Sequence, residues 1–527
     1  MRFLPQPVAL CLAGAFVLSA AAHAQGPPRG FWPIPGQDSA HNQWQKAETD
    51  ITTATVAKDF KFLWKLKLGK GPAKTSSFSE PLLFPGLITG RGFKDLALLA
   101  DANTLYAVDS ELGELVWQKE FVSPSAHQAC GNIQVVTEAP PVIRFGARRP
   151  AAGATPGATP PPPRPPPEEP LPRAERRVGA AAGGGYFGLR GVYVVTSDGY
   201  IHEQIMATGL DYAPPVKFLP TPGGSSFGLN MNDKVVYTAT GSGCRNIPNA
   251  IWSLDLNTPD YTVNSYKVEK LSLAGLSGPA IGPDGTAYVV TGSGPAVAPV
   301  YANSVVGLAP KELKVKDWYT PSSAGKALNA GPVAFIYKEK ELLAAPGGEG
   351  KLVLLDTASL GGADHHTPLA ETDKLSKGAK RGAWESLATW QDKSGAAWVL
   401  ASVTGPVEQD VKFAATNGPA PHGSIVAFKV EEKDGHTVLT PAWISRDLVN
   451  PAPPAIANGV VFALEGGSAS GHATLYALDA DTGKQLYASG DAIQSSSHLA
   501  GMSIGDGHVF FTTHDNTLYS FGIPLEH

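Results

Sequence analysis

The sequence predicts an all-β chain, an eight-bladed β-propeller of four-stranded antiparallel blades whose ring is closed by an N-terminal strand. Three observations predict it: one short apolar phrase recurs eight times, turn residues follow each copy, and a matching strand near the start completes the last copy. Such spaced self-similarity marks repeat architectures, and propeller blades run to about 40 to 50 residues.

The clearest copies are Leu105-Tyr-Ala-Val-Asp109, Ile251-Trp-Ser-Leu-Asp255, Leu352-Val-Leu-Leu-Asp356, Leu475-Tyr-Ala-Leu-Asp479 and Leu518-Tyr-Ser-Phe521. Weaker copies are Val305-Val-Gly-Leu308, Ile425-Val-Ala-Phe428 and the degenerate Ile201-His-Glu-Gln204. Large and smaller residues alternate in each, the period of a strand, and a second apolar segment such as Val192–Val195 or Val460–Phe462 precedes it. Ser197-Asp-Gly199, Gly347–Gly350 and Asp515-Asn516 supply hairpin turns between the two. A further turn, as in Asp479-Ala-Asp-Thr-Gly483, leads to a strand ending in an aromatic residue.

The phrase returns at spacings of 43 to 54 residues except for gaps of 96 and 73. The longer gap contains a Pro-rich insert over 144–185, and the other carries polar loops around one strand pair. The last copy has no chain left for an outer strand, whereas Phe60–Leu68 is alternating and unassigned. Pairing the two ends closes the ring and removes a free edge. An open stack or two separate β domains is the alternative, but no linker divides the repeats evenly.

Composition agrees. Of 527 residues, 17% are charged and 43% hydrophobic, which excludes a disordered polyelectrolyte. Gly 58 and Pro 46 point to many short elements. The net charge of −5 and the lack of a basic stripe argue against nucleic acid. The insert, with Pro160–Pro167 and Arg148-Arg149, has too few large apolar residues to pack a core and reads as a solvated loop in the second blade, or a docking site for a partner.

Residues 1–24 read as a secretory signal, with Arg2, an apolar run over Val8–Ala20 and Ala22-His-Ala24 before Gln25. The run is short for a membrane anchor, which needs about 20 residues, and bulky Leu10 ahead of Cys11 does not suit a lipoprotein signal. A periplasmic or secreted, monomeric protein with no membrane span is expected, with 25–59 as an entry segment and 60–527 as the propeller. Cys130 and Cys244 then remain, and an oxidising compartment allows them one disulfide if their Cα atoms come within reach. No haem-attachment motif and no zinc-spaced cluster is present.

Ala107-x-Asp109 with Gly113-Glu114 and Trp117, Ala477-x-Asp479 with Thr482-Gly-Lys484 and Tyr487, and the entry Trp32-Pro-Ile-Pro-Gly-Gln-Asp38 followed by Trp64 resemble the repeats of quinoprotein propellers, the pyrroloquinoline quinone (PQQ) dehydrogenases. The resemblance covers most of 30–525. It implies that Trp117 docks on the neighbouring blade. The family also includes exported propellers that only bind partners, and the adjacent cysteines on which its alcohol dehydrogenases stack the quinone are absent from this chain.

Residues just ahead of the inner strands would converge at the channel mouth: Glu80, Glu138, Ser226, Ser277, Asn329, Glu385, Asn450 and His498. Glu80, Glu138 and Asn450 offer oxygen ligands for Ca²⁺. Glu385 is the candidate base for a substrate hydroxyl, and Arg381, Trp384, Trp390 and Asn329 are candidates to hold PQQ. The plainer reading is that these side chains bond neighbouring blades. His365-His366 reads as solvated, and Asp198 with His202 as an acid/base pair without a serine nucleophile. The expected function is a scaffold binding a protein or small-molecule partner, with PQQ- and Ca²⁺-dependent alcohol oxidation as the alternative.

Overall fold

Every copy of the repeated phrase forms the third strand of a four-stranded antiparallel sheet. Thr104–Asp109 is buried along its whole length, as are Ala250–Asp255 and Thr517–Gly522. A blade is covered on both faces by its neighbours, so the alternation in these strands is one of size, not of polarity. A computed structural model of the chain describes residues 30–69, 78–121, 133–138, 191–220, 225–241, 247–268, 271–275, 277–292, 301–322, 328, 330–375, 384–407, 411–467, 471–497 and 500–524.

Eight sheets follow one another. Blade one is Leu82–Thr89, Gly92–Ala100, Thr104–Asp109 and Glu114–Glu120. In blade two, Gln134–Thr137 and Gly191–Val195 flank the Pro-rich insert and are followed by Tyr200–Ile205 and Asp211–Lys217. Blades three, four and five centre on Ala250–Asp255, Val305–Leu308 and Leu352–Asp356. Blade six, Trp384–Ile444, adds a parallel edge strand, Ala415–Thr416, and blade seven centres on Thr474–Asp479. Blade eight has Ser503–Gly505, His508–Thr513 and Thr517–Gly522, and Lys61–Lys67 pairs antiparallel with the last of these. The ring closes by the N-terminal strand.

Three outer strands lock their blade to the next through one device. The indole N–H of Trp117 donates to Met206 O of blade two at 3.1 Å, that of Trp64 to Ser110 O of blade one at 3.2 Å, and that of Trp443 to Ala480 O of blade seven at 2.8 Å. Each ring lies on a turn glycine of the receiving blade, Gly209, Gly113 and Gly483, all at positive φ, where an added Cβ would strike the indole. The docking implied for Trp117 is therefore present and is repeated elsewhere. Trp318 of blade four finds a different platform: it stacks on His365 of blade five with ring centroids 3.7 Å apart. That histidine is thereby fixed, its Nδ1 lying 3.0 Å from Asp317 Oδ1, so it is a packing element and not a freely solvated one.

Residues 32–48 behave in a way that their sequence does not announce. This segment bonds to the inner strand of every blade in chain order: Trp32 bridges Leu83, Pro33 O accepts from Thr137, and Ser39 O accepts from Asn230 and Ile281. Ala40 O then accepts from Ala334, Asn42 O from Thr389, and Trp44–Gln45 pairs parallel with Ala455–Ala457. Gln45 Nε2 donates to Ile504 O, and Glu48 Oε2 accepts from Gly507 N. A chain that visits eight inner strands in turn must circle the central axis, so the segment forms a belt inside the channel. Gln37, His41 and Gln43 adopt positive φ to make the curve, a conformation that persists only where surrounding bonds enforce it.

Candidate functional site

Among the described residues, two places bring several perturbed polar groups together: the channel beside the belt, and a cleft between blades one and two. Glu80 occupies the first. It is 6% exposed, and its Oε1 accepts from the Trp32 indole at 2.6 Å and from Gly36 N at 2.9 Å. Its other oxygen lies against Gly501 of blade eight, where a Cβ would collide with it. Burial pushes its pKa up to about 8 against the opposing pull of those two donors. His41 of the belt is likewise held neutral by burial, with a pKa near 4, and contacts the Asn230 amide at 3.2 Å.

The other residues expected at the mouth are dispersed. Glu138 follows its inner strand, Gln134–Thr137, instead of preceding it, because the strand begins earlier than the Pro140-Pro141 signal suggests. Its half-exposed carboxylate lies 4.0 Å from Lys234 Nζ. Asn450, at positive φ, donates Nδ2 to Gly467 O. Ser226 lies within an inner strand, and Ser277 precedes Ala280–Ile281. Trp390 packs at 5.8 Å on Trp398 in the core of blades six and seven. Trp384 and Glu385 open the inner strand of blade six, Trp384–Gln391, while Arg381, Asn329, His498, Cys130 and Cys244 lie outside the described residues.

Among the described residues, the three expected oxygen ligands come from separate blades. Glu80, Glu138 and Asn450 sit on blades one, two and seven, and Glu80 is already engaged by the belt. Among the described residues no three His, Cys, Asp or Glu side chains are spaced to hold a metal ion.

The second place is a cleft of about 860 Å³. Asn103, Lys119 and Glu120 of blade one form one wall, and Thr196, Asp198, His202 and the outer-strand run from Asp211 to Pro215 of blade two form the other, over Phe121 and Ile133. The volume falls within the roughly 300–1,000 Å³ usual for small-molecule sites. Lys119 Nζ reaches across to Asp211 Oδ2 at 2.8 Å, and the Gln204 amide donates to Asp211 Oδ1 at 2.8 Å. These bonds hold the Asp211 carboxyl below the usual carboxylate range.

His202 is the centre of this cleft. Its ring meets Phe121 edge-on at 4.9 Å, and its Nε2 lies 3.3 Å from Thr196 Oγ1, which donates to Asp198 Oδ1 at 2.5 Å. With the threonine proton directed at the carboxylate, Nε2 carries the imidazole proton, and Nδ1 is left as an acceptor without a partner among the described residues. Burial lowers the His202 pKa, which keeps the ring neutral. Asp198 and His202 are thus joined through Thr196, a member that sequence reading passed over. The sequence does carry one signal of the cleft: only the second blade has His-Glu-Gln where other copies read Tyr-Ala-Val or similar.

No protein-family model matches the chain, and no curated protein matches it. Solved structures do. Quinohemoprotein alcohol dehydrogenase from Comamonas testosteroni aligns with a TM-score of 0.54 at 13% identity, covering 94% of this chain and 81% of that one. A europium-containing methanol dehydrogenase aligns with a TM-score of 0.54 at 12% identity, covering 94% and 98%. Quinohemoprotein alcohol dehydrogenase ADHIIG from Pseudomonas putida HK5 gives 0.53 at 12%, covering 94% and 82%. The chain shares their eight-bladed fold, the architecture that its repeat resemblance implies, and at this identity the likeness is one of fold.

Proposed function

We propose that this protein is an exported, quinoprotein-like propeller that acts as a binding scaffold, with its ligand site in the cleft between blades one and two. The observation that carries this reading is the polar third strand of blade two. In the other seven blades the positions of His202 and Gln204 hold Tyr, Trp or Val and Val, Leu or Phe, residues that fill the space between blades. Blade two replaces that filling with an imidazole and a fully buried amide and leaves a cavity beside them. Core polarity costs stability unless it is bonded, so its concentration at one seam points to use.

The belt supports the same reading from the other direction. It occupies the channel and engages Glu80, the carboxylate best placed to serve a metal there. Export is proposed from residues 1–24, and the monomer from a ring whose ends are joined within one chain.

The test is a thermal-shift screen of small molecules on the purified protein and on His202→Tyr, which restores the residue of blades one, seven and eight. A ligand that stabilises the parent and not the variant supports the cleft. Hits that act equally on both overturn it. A second reading, a quinone-dependent alcohol oxidoreductase, draws on the shared fold. It requires saturable PQQ uptake in Ca²⁺ and dye reduction that Glu385→Gln abolishes, and the scaffold reading expects neither.

A further inference from the structure

We infer that the cleft between blades one and two takes a neutral, hydroxyl-rich ligand, a short saccharide. This rests on the reading of the cleft as the ligand site and adds the chemistry of its occupant.

The first argument is the balance of hydrogen-bonding groups. His202 Nδ1 and Asp198 Oδ2 are acceptors without partners among the described residues, and Oδ1 of Asp198 already takes the Thr196 hydroxyl and Tyr200 N. Donors stand beside them: the Lys119 ammonium, the Ser197 hydroxyl and the Asn103 amide. A wall that mixes open acceptors with donors suits a ligand whose groups both give and receive, and hydroxyls are the groups that do so.

The second argument is charge. Glu120, Asp198 and Asp211 face an anionic ligand with three carboxylates. An ammonium ligand would meet two ammonium groups, Lys119, already 2.8 Å from Asp211, and Lys217, whose Nζ lies 3.0 Å from the Asp198 backbone carbonyl. Each ionic class meets a like charge, and an uncharged ligand meets none.

The third argument is the apolar platform. Tyr212 is 42% exposed, and Ala213, Pro214 and Pro215 continue the same irregular strand along the cleft, without competing N–H groups at the prolines. An exposed aromatic ring beside polar groups provides a face for the C–H side of a sugar ring while the hydroxyls reach the opposite wall.

Isothermal titration of the purified protein with maltotetraose, cellotetraose, mannotetraose and a galactan tetrasaccharide, and with spermidine and tetragalacturonate as charged probes, tests this. Saturable binding of a neutral tetrasaccharide is expected, weakened about tenfold or more by Tyr212→Ala and by Asp198→Asn, both near the surface, with thermal unfolding unchanged. Binding of a charged probe alone, binding that both substitutions leave intact, or no neutral binding overturns it. If saccharides fail while another compound stabilises the parent and not His202→Tyr, the ligand class falls and the cleft stands. If no compound distinguishes the two proteins, the cleft falls as well.

Discussion

Glu80 at the seam of blades eight and one and His202 at the seam of blades one and two are both held by burial in their neutral forms. Perturbed groups of this kind are where functional sites are usually sought. Their surroundings differ in one respect. Glu80 Oε1 receives two donors from the belt at 2.6 and 2.9 Å, and Gly501 closes the space at Oε2. His202 donates one hydrogen bond to Thr196, which donates in turn to Asp198, and keeps one nitrogen open beside a cavity. The contrast teaches that burial and a shifted pKa do not separate structural from functional groups. Open lone pairs facing an open volume are what set the proposed site apart.

Removing the belt's anchor breaks the structural half of this comparison and has the largest expected effect. Trp32 is fully buried and donates to Glu80, so Trp32→Ala loses its packing and leaves a buried carboxylate without one donor. A loss of about 3–5 kcal/mol is expected for such a truncation, read as a lower midpoint in denaturant titration. An unchanged midpoint would mean that the belt does not hold the ring.

Glu80→Gln sharpens the comparison. The amide oxygen still accepts from Trp32 and Gly36, but the group no longer titrates. In the parent, the folded pKa near 8 stands above the ordinary 4.5, so Glu80's contribution is complete below pH 4.5 and is lost as pH rises to about 8. The parent's unfolding temperature should therefore fall between pH 5 and 9 more steeply than that of Glu80→Gln. Parallel profiles would show that Glu80 ionises freely in the fold.

Gly209→Ala bears on the seam that carries the cleft. Gly209 has φ +70° and lies under the Trp117 ring. Alanine should cost about 1–3 kcal/mol through backbone strain and displacement of the indole, measured by thermal unfolding. It should also weaken any ligand bound between blades one and two. The same change at Gly483 should cost similar stability through Trp443 and leave that ligand unaffected.

The legible and illegible parts of the molecule divide along the same line. The blade count was readable because each third strand repeats a burial requirement, and Lys61–Lys67 was readable as the missing partner of Thr517–Gly522. Glu80 was correctly marked as standing ahead of an inner strand, but its engagement by Trp32 was not readable, since residues 32–48 have no periodicity and reach eight distant strands through a mixture of backbone and side-chain bonds. Glu138 was misplaced because the insert removes the hairpin that fixes register in the other blades. The oddity of His202-Glu203-Gln204 was visible as a degraded repeat. What makes it the proposed site, the facing wall of Asn103, Lys119 and Glu120 and the hydroxyl of Thr196, comes from packing across a seam that no local pattern encodes.

The smallest expected effect concerns His202 itself. Its folded pKa lies below 6.5, so the unfolded chain takes up a proton first as pH falls, and stability is lost as pH drops below that value. His202→Tyr has no such group and returns the ring found at Tyr106, where the hydroxyl donates to Asp101 Oδ2 at 2.9 Å. In blade two the equivalent turn position is Thr196, whose hydroxyl can accept from a tyrosine as it does from His202. The variant should therefore match the parent within about 1 kcal/mol at pH 7.5 and exceed it increasingly toward pH 5 in thermal unfolding. A constant difference across that range would mean that His202 is as free to protonate as a surface histidine. It would then belong with the solvated groups, and the distinction between the two seams would rest on the cavity alone.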